Sequence, residues 1–179
     1  METGEIMNVF LDLEETVIDE FKAFPTFLPG NCEDIRRFLT PLKMIGDPRV
    51  GIFSFAIHTK EEEDIFWNSI SEQLDKLCDV RTFEVIRVSE MFLASKLLRK
   101  IRFEDVTDFI QVIGKAGAFH DWCQLHHPGE FSFLIDDVVP NQTLHDNDNG
   151  SLIQTLNIKS LFKPHNNVFS NSTLNTKEV

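Results

Sequence analysis

Five short apolar segments, Asn8–Asp12, Val50–Phe55, Phe83–Val88, Phe131–Asp136 and Leu152–Ile158, alternate along this chain with stretches of helical periodicity. A strand–helix–strand rhythm of this kind builds βαβ units and a mostly parallel sheet. Most of the segments are continuously apolar rather than alternating, as expected where helices cover both faces of a strand. The fold this predicts is α/β: a three-layer sandwich around a mostly parallel, five-stranded, Rossmann-like sheet. Helices are predicted at Cys32–Leu39, stopping before Pro41, and at Lys60–Leu77, which opens on the acidic run Glu61 to Asp64 that suits a helix N-terminus. Further helices fall at Glu90–Lys100, Glu104–Ile113 and Lys115–Leu125. Between the first strand and the first helix, Phe24-Pro25-Thr26-Phe27-Leu28-Pro29-Gly30 reads as a loop broken by two Pro and a Gly. It either borders a site or anchors a surface loop.

At 179 residues the chain suits one domain, assigned to residues 1–162. The Asn- and Ser-rich stretch 163–179 carries little apolar content and reads as a disordered polar tail. With 17 Phe and no Tyr, the core is expected to be Phe-heavy. A net charge of −12 opposes extended contact with a nucleic-acid backbone, which needs clustered Lys and Arg. It leaves room for a nucleotide-sized anion held beside a metal ion. Cys32, Cys78 and Cys123 form no CxxC pair, so reduced thiols in a cytoplasmic protein are the simplest account. Apolar runs such as Val50 to Ile57 are too short to span a bilayer, and Met1 to Glu5 lack the basic start of a signal peptide. The sequons at Asn141, Asn149 and Asn171 are therefore read as incidental.

Two of the strands end on acids. Asn8-Val9-Phe10-Leu11 runs into Asp12-Leu13-Glu14-Glu15-Thr16, and ligands of open α/β sheets bind at the carboxyl ends of strands. Asp and Thr also suit turns, so this pentapeptide alone reads equally as site or turn. Phe131 to Ile135 runs into Asp136-Asp137, adjacent carboxylates that repel unless a cation sits between them. Oxygen ligands drawn from two strands are what Mg2+ prefers. Ser54, at the end of the second strand, is either bonded to backbone, the commonest fate of a buried Ser, or aimed at an anionic oxygen. Lys115 opens the helix before the fourth strand, against the dipole preference for acids there. Its ammonium is either solvated or needed to balance carboxylates and a bound phosphate.

In this order and these strand contexts, Asp12-Leu13-Glu14-Glu15-Thr16, Ser54, Lys115 and Asp136-Asp137 resemble the four motifs of the haloacid dehalogenase superfamily of phosphatases. The resemblance covers roughly residues 8 to 158, and the short gap between the first two motifs is similar to members with little or no cap, including small ones encoded by tailed bacteriophages. It implies a sheet order three-two-one-four-five and a Mg2+-dependent phosphomonoester hydrolase. It further implies Asp12 as the nucleophile that forms an aspartyl-phosphate, with Glu14 in the place of the general acid and base. Ser54, Lys115 and Thr16 would bind the substrate phosphate. Asp12, the carbonyl of Glu14, Asp136 and Asp137 would bind the metal. The chain departs from the usual first motif at Glu14, where the family has Asp, and at Glu15, where a small residue is common. The extra methylene moves the Glu14 carboxyl by about 1.5 Å, and misplacement of that order can cost ~10²-fold in rate.

The remaining candidates have plainer readings. His120, Cys123 and His127 fall at helical spacing but lack a fourth zinc ligand. His58 is expected at the surface, and Trp67 and Trp122 in the core. Lys96 to Arg102 is a dense basic stretch that an exposed helix face explains. The expected partner is a small phosphorylated metabolite or nucleotide rather than a membrane or a long nucleic acid. The alternative is a binding or regulatory protein that keeps the fold and engages a macromolecular partner through its acidic surface.

Overall fold

The strand that carries Asp12 is the centre of the sheet. In the computed structural model, which describes residues 6–146 and 152–162, β1 (Met7–Leu11) is buried along its whole length. It pairs in parallel with β2 (Arg49–Phe53) on one side and β4 (Phe131–Asp136) on the other. β3 (Thr82–Ile86) adds in parallel beyond β2, and the strand Leu152–Asn157 adds in parallel beyond β4. These five runs are the five predicted strands, in the predicted order. One more strand, β5 (Gln142–Asp146), pairs antiparallel to Leu152–Asn157, hereafter β6, so the sheet has six strands in the order β3-β2-β1-β4-β6-β5. β5 escaped the sequence reading because Gln142-Thr143-Leu144-His145-Asp146 has a single apolar residue. An edge strand needs little burial, and antiparallel additions to otherwise parallel sheets are common.

Side chains of successive residues leave a strand on opposite faces, and the core divides accordingly. Val9, Leu11, Ile52 and Ile135 pack with Ile35 and Leu39 of α1 (Pro29–Ile45), Phe66 of α2 (Lys60–Ser69) and Leu74 of α3 (Ser71–Cys78). Phe10, Phe53 and Leu134 face the other way, onto Met91 of α4 (Val88–Arg99) and Phe119 and Trp122 of α5 (Val106–His126). This is the expected three-layer, Rossmann-like sandwich. Phe10, Phe53 and Phe119 meet edge to face at centroid distances of 6.3, 5.6 and 5.3 Å. Such pairs add about 0.5–1.5 kcal/mol each beyond the area they bury.

Several boundaries differ from expectation. α1 starts at Pro29, where a missing N–H costs nothing, and continues through Pro41 to Ile45. Its buried residues, Cys32, Ile35 and Leu39, all precede Pro41, and Met44 and Ile45 beyond it are exposed. The apolar pattern therefore marked the packed part of the helix and not its end. The single helix predicted over Lys60–Leu77 breaks at the buried Ile70 into α2 and α3. Trp67, expected in the core, is 36% exposed, whereas Trp122 is 7% exposed. The tail 163–179 lies outside the described residues.

Two features fix the α4–α5 layer. Asp121, 3% exposed, accepts hydrogen bonds from Ser95 Oγ at 2.7 Å and Arg99 Nε at 2.6 Å. Burial alone would raise its pKa, but hydrogen bonds from His120, Arg99 and Ser95 hold it below the usual range. The second feature is Gly114, whose φ of 66° and ψ of 172° break α5 into the two helical pieces that the sequence suggested. Only glycine adopts that combination without strain. Gly114→Ala should therefore lower unfolding free energy by about 1–3 kcal/mol, measured by urea denaturation. An unchanged midpoint would mean that the break is not fixed by the glycine.

Candidate functional site

Because β1 and β4 are adjacent, parallel and paired with Leu11 opposite Ile135, Asp12 and Asp136 emerge side by side at one end of the sheet. The Asp12 N–H donates to the Ile135 carbonyl at 2.9 Å, which carries the ladder one residue into the site. Both carboxylates are almost fully buried, at 3% and 0% exposure. Lys115, the first residue after the Gly114 break, sends its ammonium between them, 2.9 Å from Asp12 Oδ1 and 2.7 Å from Asp136 Oδ2. The other Asp136 oxygen, Oδ1, accepts from the backbone N–H groups of Val138 at 2.7 Å and Val139 at 3.0 Å. Asp136 is thus held rigidly with one oxygen turned to the crevice. Asp137 stands beside it and pairs with Lys159 Nζ at 3.0 Å.

One ammonium shared by two buried carboxylates leaves the site short of positive charge. Burial pushes the Asp12 carboxyl up to about 6, and Asp136 adds to the rise, against the opposing pull of Lys115 and a hydrogen bond from Ser54. Burial alone would lower the Lys115 pKa, but Asp12 and Asp136 outweigh it and hold the ammonium above its ordinary value. Ligand oxygens of Asp12, Asp136 and Asp137 lie within 4.8 Å of one another. An all-oxygen donor set of this charge and spread suits a hard divalent cation, so the cluster is capable of coordinating one.

The other predicted residues surround this core. Ser54 is buried directly after β2, and its Oγ accepts from the Ala56 N–H at 3.3 Å. The backbone bond is one of its two expected roles, and Ser54 also favours the ionised form of Asp12. Thr16 is fully buried, and its hydroxyl has no hydrogen-bond partner among the described residues. The chain between Asp12 and α1 forms one helical turn, in which the Leu13 carbonyl accepts from the N–H groups of Thr16, Val17 and Ile18. A short hairpin follows, closed by bonds from Asp19 N to Thr26 O and from Leu28 N to Val17 O. Glu14 is exposed and its Oε1 accepts from the Phe21 N–H at 3.0 Å, so its carboxyl is engaged with this hairpin. Glu15, the second departure from the motif, sits in the left-handed region at φ 57°. Asn31, which the sequence reading missed, donates to the carbonyls of Glu15 and Thr16 at 3.3 and 3.0 Å and ties the turn to α1. Its signal was weak, since an Asn near a helix start has many ordinary uses.

Other candidates fall away from the site. Cys123 is fully buried, and burial pushes its thiol far above the usual range. His127 Nδ1 lies 3.0 Å from Glu130, and among the described residues the only group of His, Cys, Asp and Glu arranged to hold a metal is the aspartate triad. His58 is exposed, as expected. A cleft of about 610 Å3 between Lys43, Arg49, Arg81 and Phe83 opens at the amino-terminal ends of β2 and β3, away from the carboxylates. Chemistry rather than cleft size therefore singles out Asp12. Among the described residues, no helix is long and apolar enough to cross a membrane.

Comparison with protein-family models, curated proteins and solved structures returns no match. The chain's own geometry establishes an α/β, Rossmann-like fold with a mixed sheet and an acidic triad able to bind metal.

The Asp12 environment has a consequence for stability. Its folded pKa of about 6 lies above that of an unfolded Asp. The buried carboxylate thus destabilises the native state above that pH, and the penalty is relieved as pH falls through 6 toward 4. Without divalent ions at pH 7.5, Asp12→Asn should be more stable than the wild type by about 1–3 kcal/mol. Denaturation curves at several pH values should show the difference narrowing toward pH 4. A constant difference would remove the Asp12 titration as its cause.

Proposed function

We propose that this chain is a Mg2+-dependent phosphomonoester hydrolase of the haloacid dehalogenase type, acting through Asp12 on a small phosphorylated metabolite or nucleotide. The observation that carries the reading is the Lys115 ammonium seated 2.9 Å from Asp12 and 2.7 Å from Asp136 at the carboxyl ends of adjacent strands. In this reading an Asp12 oxygen attacks phosphorus, forming the Asp12–phosphorus bond as the ester bond to the leaving group breaks. The leaving oxygen takes its proton from Glu14. Water then attacks the aspartyl-phosphate, gives its proton to Glu14, and releases inorganic phosphate and free Asp12. Ser54, Thr16 and Lys115 hold the phosphoryl oxygens, and the unpartnered Thr16 hydroxyl suits that role. Asp12, Asp136, Asp137 and the main-chain carbonyl of Glu14 would hold the metal. When bound, Mg2+ supplies charge neutralisation for the transferring phosphoryl group.

Glu14 also favours a second reading. Its carboxyl is bonded to the Phe21 N–H and must leave that partner to reach a leaving group. A protein in which it stays there keeps the fold and the metal-binding cluster but turns over slowly, and would serve as a binding or regulatory protein.

Phosphate release from a generic aryl phosphate and a panel of nucleotides, with and without Mg2+, separates the two. The hydrolase reading expects Mg2+-dependent turnover that falls by about 10³-fold or more in Asp12→Asn. It expects Glu14→Asp to hold or raise kcat. A folded protein that binds Mg2+ and hydrolyses nothing supports the binding reading instead.

A further inference from the structure

Ser54 and Phe55 are consecutive in the turn that follows β2, and both address the same pair of charges. Ser54 favours the ionised form of Asp12, while the Lys115 ammonium sits over the Phe55 ring, 5.4 Å from its centroid. That ammonium is also the one 2.9 Å from Asp12, so a single side chain spans the distance from the carboxylate to the ring. Phe55 is only partly buried, although it lies two residues past the buried end of β2 in a Phe-rich core.

The ring is braced from behind. Phe55 meets the fully buried Phe109 at 6.5 Å and 62°. Phe109 in turn packs against Phe92 at 5.6 Å and Phe103 at 5.5 Å, edge to face in both cases. Phe92 belongs to α4, Phe109 to the first half of α5, and Phe103 to the connection between them. The outermost ring of a four-phenylalanine cluster is thus presented, at low conformational cost, beside the cation that holds the phosphoryl group in the proposed reaction. A cation over a ring is itself a favourable contact. An aliphatic side chain would shield Lys115 from water equally well, but it would offer no aromatic face.

We propose that Phe55 is a specificity-determining residue that stacks on an aromatic leaving group, so that the site selects phosphomonoesters carrying a ring, as nucleoside monophosphates and aryl phosphates do. This rests on the hydrolase reading above. The ring centroid lies 5.4 Å from an ammonium that is itself 2.9 Å from Asp12 Oδ1, which places an aromatic surface beside the carboxylate that would receive the phosphoryl group. Stacking of a base on an aromatic side chain is favourable and tolerates any base, since every base has a π-face. The acidic balance of the chain, −12, favours such small substrates over a polymer.

The test compares wild type and Phe55→Leu, which keeps an apolar cover over Lys115 and removes the aromatic face. Steady-state kinetics are measured on uridine 5′-monophosphate and phenyl phosphate as the ringed esters, and on ribose 5-phosphate and glycerol 3-phosphate as the ringless ones. The wild type should prefer the ringed esters, and Phe55→Leu should reduce the ratio of kcat/KM for ringed over ringless substrates about tenfold, through KM. A larger effect on uridine 5′-monophosphate identifies a nucleobase as the natural ring, and a larger effect on phenyl phosphate identifies an aryl ester. Equal losses on ringed and ringless esters, or no wild-type preference, would overturn the proposal while leaving the hydrolase reading intact. Should nothing be hydrolysed, calorimetric binding of the uridine and ribose phosphates in the presence of Mg2+ decides the matter. A ring-dependent difference that Phe55→Leu removes upholds the stacking site and rejects only the hydrolysis. Equal affinities, or no binding, reject both.

Discussion

The site depends on one ammonium held between two buried carboxylates. Removing a carboxylate from water is costly unless it is paired, and among the described residues Lys115 is the only cation that reaches both Asp12 and Asp136. The three groups carry a net negative charge at the ends of two neighbouring strands, with Asp137 and its exposed partner Lys159 at the margin. Burial, with the neighbouring Asp136 adding to it, explains why Asp12 resists ionisation, and the charge deficit makes the crevice receptive to a divalent ion. The burden falls on the rest of the fold. β1 and β4 must be adjacent to bring the carboxylates together, and α5 must break at Gly114 to present Lys115. Asp136 must give one oxygen to the Val138 and Val139 amides so that the other stays aimed inward.

Much of this was legible in the residues. Asp12 and Asp136 were found because two separate apolar runs end on acids, and the parallel sheet because continuous apolar strands alternate with helical stretches. Ser54 and Lys115 stood out because each sits where its chemistry is awkward: a hydroxyl in an apolar run and a cation at a helix start. β5 was hidden because a solvent-facing edge strand needs almost no apolar pattern. The extent of α1 was hidden for a related reason, since past Pro41 only Leu42, half-buried, packs against the core.

The site's limits of legibility are more local. Sequence placed Glu14 two residues past Asp12, but not its hydrogen bond to the Phe21 N–H, which depends on how the following hairpin folds back. Asn31 fastens the carbonyls of Glu15 and Thr16 from a different element, a contact that no spacing rule encodes. Phe55 was visible only as the end of an apolar run. Its relation to Lys115 is a tertiary fact, created by the packing of Phe92, Phe103 and Phe109 beneath it.

The interruption in α5 has a further electrostatic meaning. A continuous rod of this length has one amino-terminal end, and in α5 that end is at Asp105, whose side chain accepts from the Asp108 N–H. By turning the backbone at Gly114, the chain creates a second helix start partway along, and Lys115 is its first residue. Helix starts carry partial positive charge on amides that lack intrahelical partners. A single glycine therefore brings two kinds of positive potential, one fixed in the backbone and one mobile on a side chain, within a lysine's length of the buried aspartates.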